Sequence, residues 1–174
     1  LCTNESVLIV TEQAATALLR HLKQAGAYLL APDERDRVAA MLFPGGRFDI
    51  RFVGKDASWI AAEAGLRVPN RTRVLLAPFD LVVPEEPLAH EKLCPVLGLV
   101  RVPTARRGID AARAVLRLSG RGHSAAIHST DPQVIMEYGA AVEVLRVAVN
   151  VGNSLGSAGL ETNLAPTMTI GTGF

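Results

Sequence analysis

The chain has 174 residues, 49% hydrophobic and 20% charged, which is enough apolar material for one buried core and the length of about one domain. Eighteen Lys plus Arg against seventeen Asp plus Glu leave a net charge of +1, excluding the broad electrostatic footprint of a nucleic-acid or anionic-membrane binder. Two cysteines, Cys2 and Cys94, exclude a disulfide scaffold, and no apolar run reaches the roughly 20 residues of a membrane span.

The chain opens Leu1-Cys2-Thr3-Asn4-Glu5, with neither an initiator Met nor a signal-peptide pattern. A cytoplasmic protein is expected, and this start reads as the cut edge of something longer. Val7 to Val10 is a β-branched run suited to a buried strand. Thr11 can cap a helix in which Ala14, Ala17, Leu18, His21, Leu22 and Ala25 recur at helical spacing until Gly26 closes it. Pro32, with Asp33 and Glu34 behind it, suits the first turn of a second helix, ended by Pro44-Gly45-Gly46. Asp56 can cap a third helix through Trp59, Ile60 and Ala64 to Gly65.

Val74 to Ala77 and Leu81 to Val83 read as short extended runs, and Val96 to Val102 as a central parallel strand with an almost continuous apolar face. A helix near Ile109 to Leu118 gathers Asp110, Arg113 and Arg117 on one polar face. Ser124 to His128 is a further strand, Pro132 to Ala141 a helix and Arg146 to Val151 a strand. Strands alternating with helices predict an α/β fold, three-layer α/β/α with a largely parallel sheet. From Val151 the sequence turns to Gly, Ser, Asn and Thr, read as a loop whose backbone can approach a ligand closely.

Few residues carry chemistry by pattern alone. Cys2 precedes a strand amid Thr3, Asn4 and Glu5, and as a nucleophile it needs a lowered pKa or a nearby base. Cys94, beside Pro95 and an apolar strand, reads as packing. His21 falls on the face taken as apolar and reads as a core residue. His90 stands before Glu91-Lys92, and His123 follows Arg121-Gly122 and opens a strand, where a side chain can project into a cleft. No HxxxH, HExxH or CxxC spacing supports a metal site, and no GxSxG, Walker or GxGxxG sequence occurs.

Four stretches, in order, resemble the catalytic domain of CoA-acylating aldehyde dehydrogenases, including the aldehyde dehydrogenase half of bifunctional aldehyde-alcohol dehydrogenases. Cys2-Thr3-Asn4-Glu5-Ser6-Val7 is similar to the segment bearing that branch's nucleophilic cysteine, and Ala89 to Leu97 to its Glu-containing motif before a core strand. Gly122-His123-Ser124-Ala125-Ala126 resembles its Gly-His motif, and Leu164 to Gly171 its closing segment. The resemblance covers essentially the whole chain, residues 1–174. It implies that the family's nicotinamide-binding module lies outside these residues and that the isolated piece, lacking it, is inactive as a dehydrogenase.

The resemblance also implies roles. Cys2 adds to a short aldehyde, hydride passes to NAD or NADP, and coenzyme A takes the acyl group from the resulting thioester, reversibly. His123 assists deprotonation of the CoA thiol or of Cys2, and Glu91 hydrogen-bonds the nicotinamide ribose. The expected partners are a small aldehyde and coenzyme A, with no nucleic acid and no membrane, in a homo-oligomeric parent. Two other readings stand beside this one: a hydrolytic aldehyde dehydrogenase releasing a free acid, and a non-catalytic scaffold that kept the fold.

Overall fold

The computed structural model describes residues 2–163 together with Ala165 and Pro166. Strand β1 (Val7–Thr11) leads into helix α1 (Glu12–Gln24), followed by β2 (Ala27–Leu29), α2 (Pro32–Leu42), α3 (Ala57–Glu63) and β3 (Val74–Pro78). Then come β4 (Val96–Val102), α4 (Ala105–Leu118), β5 (Ser124–Ile127), α5 (Pro132–Ala141), β6 (Arg146–Val149) and α6 (Asn153–Ser157).

Strands β1, β4, β3 and β2 pair in that order, every pair parallel, while β5 and β6 form a second parallel pair. The alternation of side chains along β4 explains why helices are needed on both faces. Val96 and Val100 pack with Leu75 and Ala77 of β3 against Val38 and Leu42 of α2 and Ile60 and Ala61 of α3. Leu99 points the other way, into a cluster with Val10 and Ala15, bordered by Leu18 and Leu19 of α1. The result is the expected α/β/α layering, although the parallel strands fall into two sheets. Each of the fully buried Leu, Ile and Val side chains contributes about 1.5–3 kcal/mol through removal from water.

Three local expectations need correction. The covered face of α1 keeps Leu18 and Leu22 but is completed by Ala15 and Leu19 and not by Ala14, Ala17, His21 and Ala25, so His21 is exposed and is no core residue. Leu81 to Val83 forms no strand; Leu81 is 68% exposed and Pro84 follows at once. The Gly- and Ser-rich stretch after Val151 is not all loop, because Asn153–Ser157 is helical. Thr11 and Asp56 do occupy the positions before α1 and α3, yet neither side chain accepts a capping bond. At α2 a half cap forms instead: the Ala31 N–H donates to Glu34 at 2.9 Å, and the other Glu34 oxygen accepts from the Tyr28 hydroxyl at 3.0 Å, tying β2 to α2.

Candidate active site

Parallel strands put their amino ends on one side of a sheet, which groups the segments before β1 and β4, while the segment before β5 belongs to the second sheet. Cys2 precedes β1, Glu91 precedes β4 and His123 precedes β5. Cys2 is exposed and unpaired, whereas Cys94 is buried, with burial pushing its thiol up to about 11. A thiol held neutral in this way is a poor nucleophile, so Cys94 packs, as expected, and Cys2 is the available sulfur.

Residues after Cys2 form a strap fastened to the start of α6. The Asn153 backbone N–H donates to Glu5 at 2.8 Å, and its side-chain amide donates to the Thr3 carbonyl at 2.9 Å. The Ser154 hydroxyl reaches the same carbonyl at 3.1 Å and Asn4 Oδ1 at 3.2 Å. The Asn153 amide donates again, to Ser124 Oγ at 3.0 Å, and that oxygen lies 2.9 Å from Nδ1 of His123. Cys2 and His123 are thus joined through Thr3, Asn153 and Ser124, and no hydrogen bond links the two directly among the described residues. Gly122 shapes the approach: its φ of 78° is a left-handed conformation that glycine adopts without strain, and the chain turns there into His123.

The Glu91 segment reaches the same edge by a second route. Lys92 is 1% exposed, and its ammonium donates to the carbonyls of Leu88 and His90, both at 2.7 Å. Burial pushes that ammonium down to about 7. The Lys92 backbone bonds Ser6, on the strap leading into β1, and the Glu91 N–H donates to Ser119 Oγ at the end of α4 at 3.0 Å. The Glu91 carboxylate itself is exposed. His90 donates from Nε2 to the Pro84 carbonyl at 2.8 Å, which ties its own loop together. His128 is exposed.

Sequence reasoning missed Asn153, Ser154 and Ser124, the residues that connect the strap to His123. The signal for Asn153 and Ser154 was the small polar texture after Val151, and that for Ser124 its place beside His123 in the Gly-His segment. A groove of about 400 Å³ between Gly54, Ala57, Thr72, Arg73 and Pro95 contains none of Cys2, Glu91 and His123. No group of three or more His, Cys, Asp or Glu poised for a metal occurs among the described residues. Nor is any described helix long and apolar enough to cross a membrane. The closing segment from Leu164 to Gly171, apart from Ala165 and Pro166, lies outside the described residues.

The chain is 31% identical over 183 residues to aldehyde-alcohol dehydrogenase 2 of Entamoeba histolytica, covering 99% of this chain and 21% of that protein. It superposes on an acetylating aldehyde dehydrogenase from Geobacillus thermoglucosidasius with a TM-score of 0.94 and 33% identity, covering 99% of this chain and 38% of that one. A propionaldehyde dehydrogenase of Rhodopseudomonas palustris, solved with bound CoA and an acylated cysteine, matches at a TM-score of 0.86 and 27% identity, over 97% and 38% of the two chains. No protein-family model matches. The chain therefore spans about a fifth of its curated relative and well under half of the solved structures. Over that span its homologues are aldehyde-alcohol dehydrogenases and its structural neighbours acetylating aldehyde dehydrogenases.

Proposed function

We propose that this chain, a homologue of acetylating aldehyde dehydrogenases in sequence and fold, is their thiol-bearing catalytic domain, oxidising a short aldehyde to acyl-CoA through a thioester on Cys2. The observation that carries the reading is the strap itself. An exposed cysteine opens it, and a chain of hydrogen bonds through Thr3, Asn153 and Ser124 ties it to the histidine of the Gly-His segment.

Cys2 adds to the aldehyde carbonyl to give a thiohemiacetal. NAD or NADP, when bound, accepts the hydride. The residues present fit one part of that cofactor: the Glu91 carboxylate is free of the core, on a loop anchored by buried Lys92, and suits a ribose diol because it accepts hydrogen bonds without donating any. The rest of the cofactor is held by a module outside these residues. Coenzyme A then takes the acyl group from Cys2, with His123 serving that transfer. A thiol acceptor with a pKa near 8.5 is already partly ionised at neutral pH and needs less help than water, which favours acylation over hydrolysis. The parent is read as a cytoplasmic homo-oligomer acting on small molecules, with neither nucleic acid nor membrane as partner.

Acyl transfer is reversible and needs no nicotinamide, so it can be tested on the chain as it stands. Incubation with acetyl-CoA or propionyl-CoA should load one acyl group onto Cys2, read by intact-protein and peptide mass spectrometry. Cys2→Ala should abolish loading and Cys94→Ala retain it. An unmodified chain, or acylation of Cys94, overturns the proposal.

A further inference from the structure

The hydrogen bonds around His123 determine which ring nitrogen carries the proton. Asn153 is 5% exposed, and its amide has one orientation. The Thr3 carbonyl can only accept, so the atom 2.9 Å away is the nitrogen. The same nitrogen donates to Ser124 Oγ at 3.0 Å, while the amide oxygen accepts from the Ser157 hydroxyl at 3.2 Å. Ser124 Oγ therefore already receives a proton from Asn153. Among the described residues its own proton has one acceptor in reach, Nδ1 of His123 at 2.9 Å. A hydroxyl donating to Nδ1 requires a lone pair there, which leaves the proton of the neutral ring on Nε2. Nε2 is also buried without a partner, the kind of orphaned polar atom that calls for a functional explanation.

We infer that Asn153 is a positioning residue that, through Ser124, holds His123 as the Nε2–H tautomer, so that the ring offers the acyl group on Cys2 a hydrogen-bond donor instead of a base. The part concerning the acyl group rests on the proposed function; the tautomer does not. In the transfer step the CoA thiolate sulfur bonds to the acyl carbon and the carbonyl electron pair moves onto oxygen. On collapse the bond to Cys2 Sγ breaks and Cys2 leaves as a thiolate. The CoA thiol proton passes to solvent. The Nε2–H donates to the oxygen while it carries the charge and keeps its proton throughout.

Long-range ¹H–¹⁵N correlation of the ¹⁵N-histidine-labelled chain, above the titration range of the ring, tests the tautomer directly. His123→Gln assigns the signals by difference. The expected wild-type pattern is a protonated Nε2 and an unprotonated Nδ1. In Asn153→Asp the carboxylate takes the Ser124 proton, Nδ1 becomes the donor to Ser124, and the two nitrogen shifts should exchange. Where that variant fails to fold, Ser124→Ala should move both shifts toward the average of interconverting tautomers, and Ser124→Thr should restore the wild-type pattern. A wild-type ring protonated on Nδ1, or a Ser124→Ala spectrum identical to wild type, overturns the inference. Because the measurement involves neither CoA nor turnover, its failure leaves the acylation of Cys2 standing, and failed acylation leaves the tautomer standing.

Discussion

Ser6 and Lys92 hold each other across 86 positions of sequence: the Lys92 N–H donates to Ser6 Oγ at 3.0 Å, and the Ser6 hydroxyl reaches the Lys92 carbonyl at 3.4 Å. One small hydroxyl thus locks the segment carrying Glu91 to the segment carrying Cys2. Ser6→Ala leaves a largely buried N–H and C=O without their partner. It should cost about 1–3 kcal/mol in urea denaturation, the range for an unsatisfied buried group.

The buried titratable groups on this loop set an unusual pH dependence. Burial holds Lys92 down at about 7 against an ordinary 10.5, and Cys94 up at about 11 against 9.0. Between pH 7 and 9 the unfolded chain keeps a lysine proton that the folded chain has released, so stability should rise with pH, by at most about 1.4 kcal/mol per unit. Above pH 9 the unfolded chain loses its cysteine proton while folded Cys94 keeps it, an opposing slope that should flatten the curve up to about pH 10.5. Urea midpoints measured across this range check both signs. Lys92→Met should remove the rise, and Cys94→Ala should extend it.

The two thiols should separate cleanly by alkylation. Cys2 is exposed, while Cys94 is 3% exposed and held neutral. Iodoacetamide under native conditions should label Cys2 alone, with Cys94 following only on addition of denaturant. Comparable native labelling of both would show that the Cys94 segment opens locally.

Gly98 sits mid-strand in β4, where an added Cβ would come within 2.5 Å of the Leu88 carbonyl and 2.9 Å of the Phe79 ring. That carbonyl is one of the two acceptors of the Lys92 ammonium. Gly98→Ala should therefore displace the turn over Pro87–Ala89, at a cost of about 1–3 kcal/mol typical of overpacking. It should also shift the Glu91 amide resonance, whereas Gly139→Ala, with open space around it, should do neither.

The long periodic elements were legible in the sequence because burial and pattern agree there. β4 reads as a central strand and is one, paired on both sides, and α2 begins at Pro32 and ends at Leu42, just before Pro44. α1 is legible, with Leu18 and Leu22 on the covered face as read, but its alanines are too small to mark that face, and Ala15 and Leu19 complete it in place of Ala14, Ala17, His21 and Ala25. β2 is only Ala27–Leu29, too short to show a two-residue alternation, and it exists because β3 pairs with it. α6 has the composition of a loop, and its first residue is fixed by bonds to Glu5, Thr3 and Ser124. The same holds for the site. Cys2, Glu91 and His123 stood out by motif, but the residues coupling them depend on contacts no local window contains.

Thr3 and Asn153 are 150 positions apart, and their hydrogen bond fastens the thiol-bearing strap. During synthesis the strap leaves the ribosome long before its anchor has been made. Strand β1 must wait as well, because its partner β4 begins only at Val96. Such distant closures are slow steps in folding, since the loop entropy is lost before the contact forms. From the synthesis of Thr3 until that of Asn153 the nascent chain therefore carries the Cys2 segment unfastened, and the bonds that hold it are among the last to form.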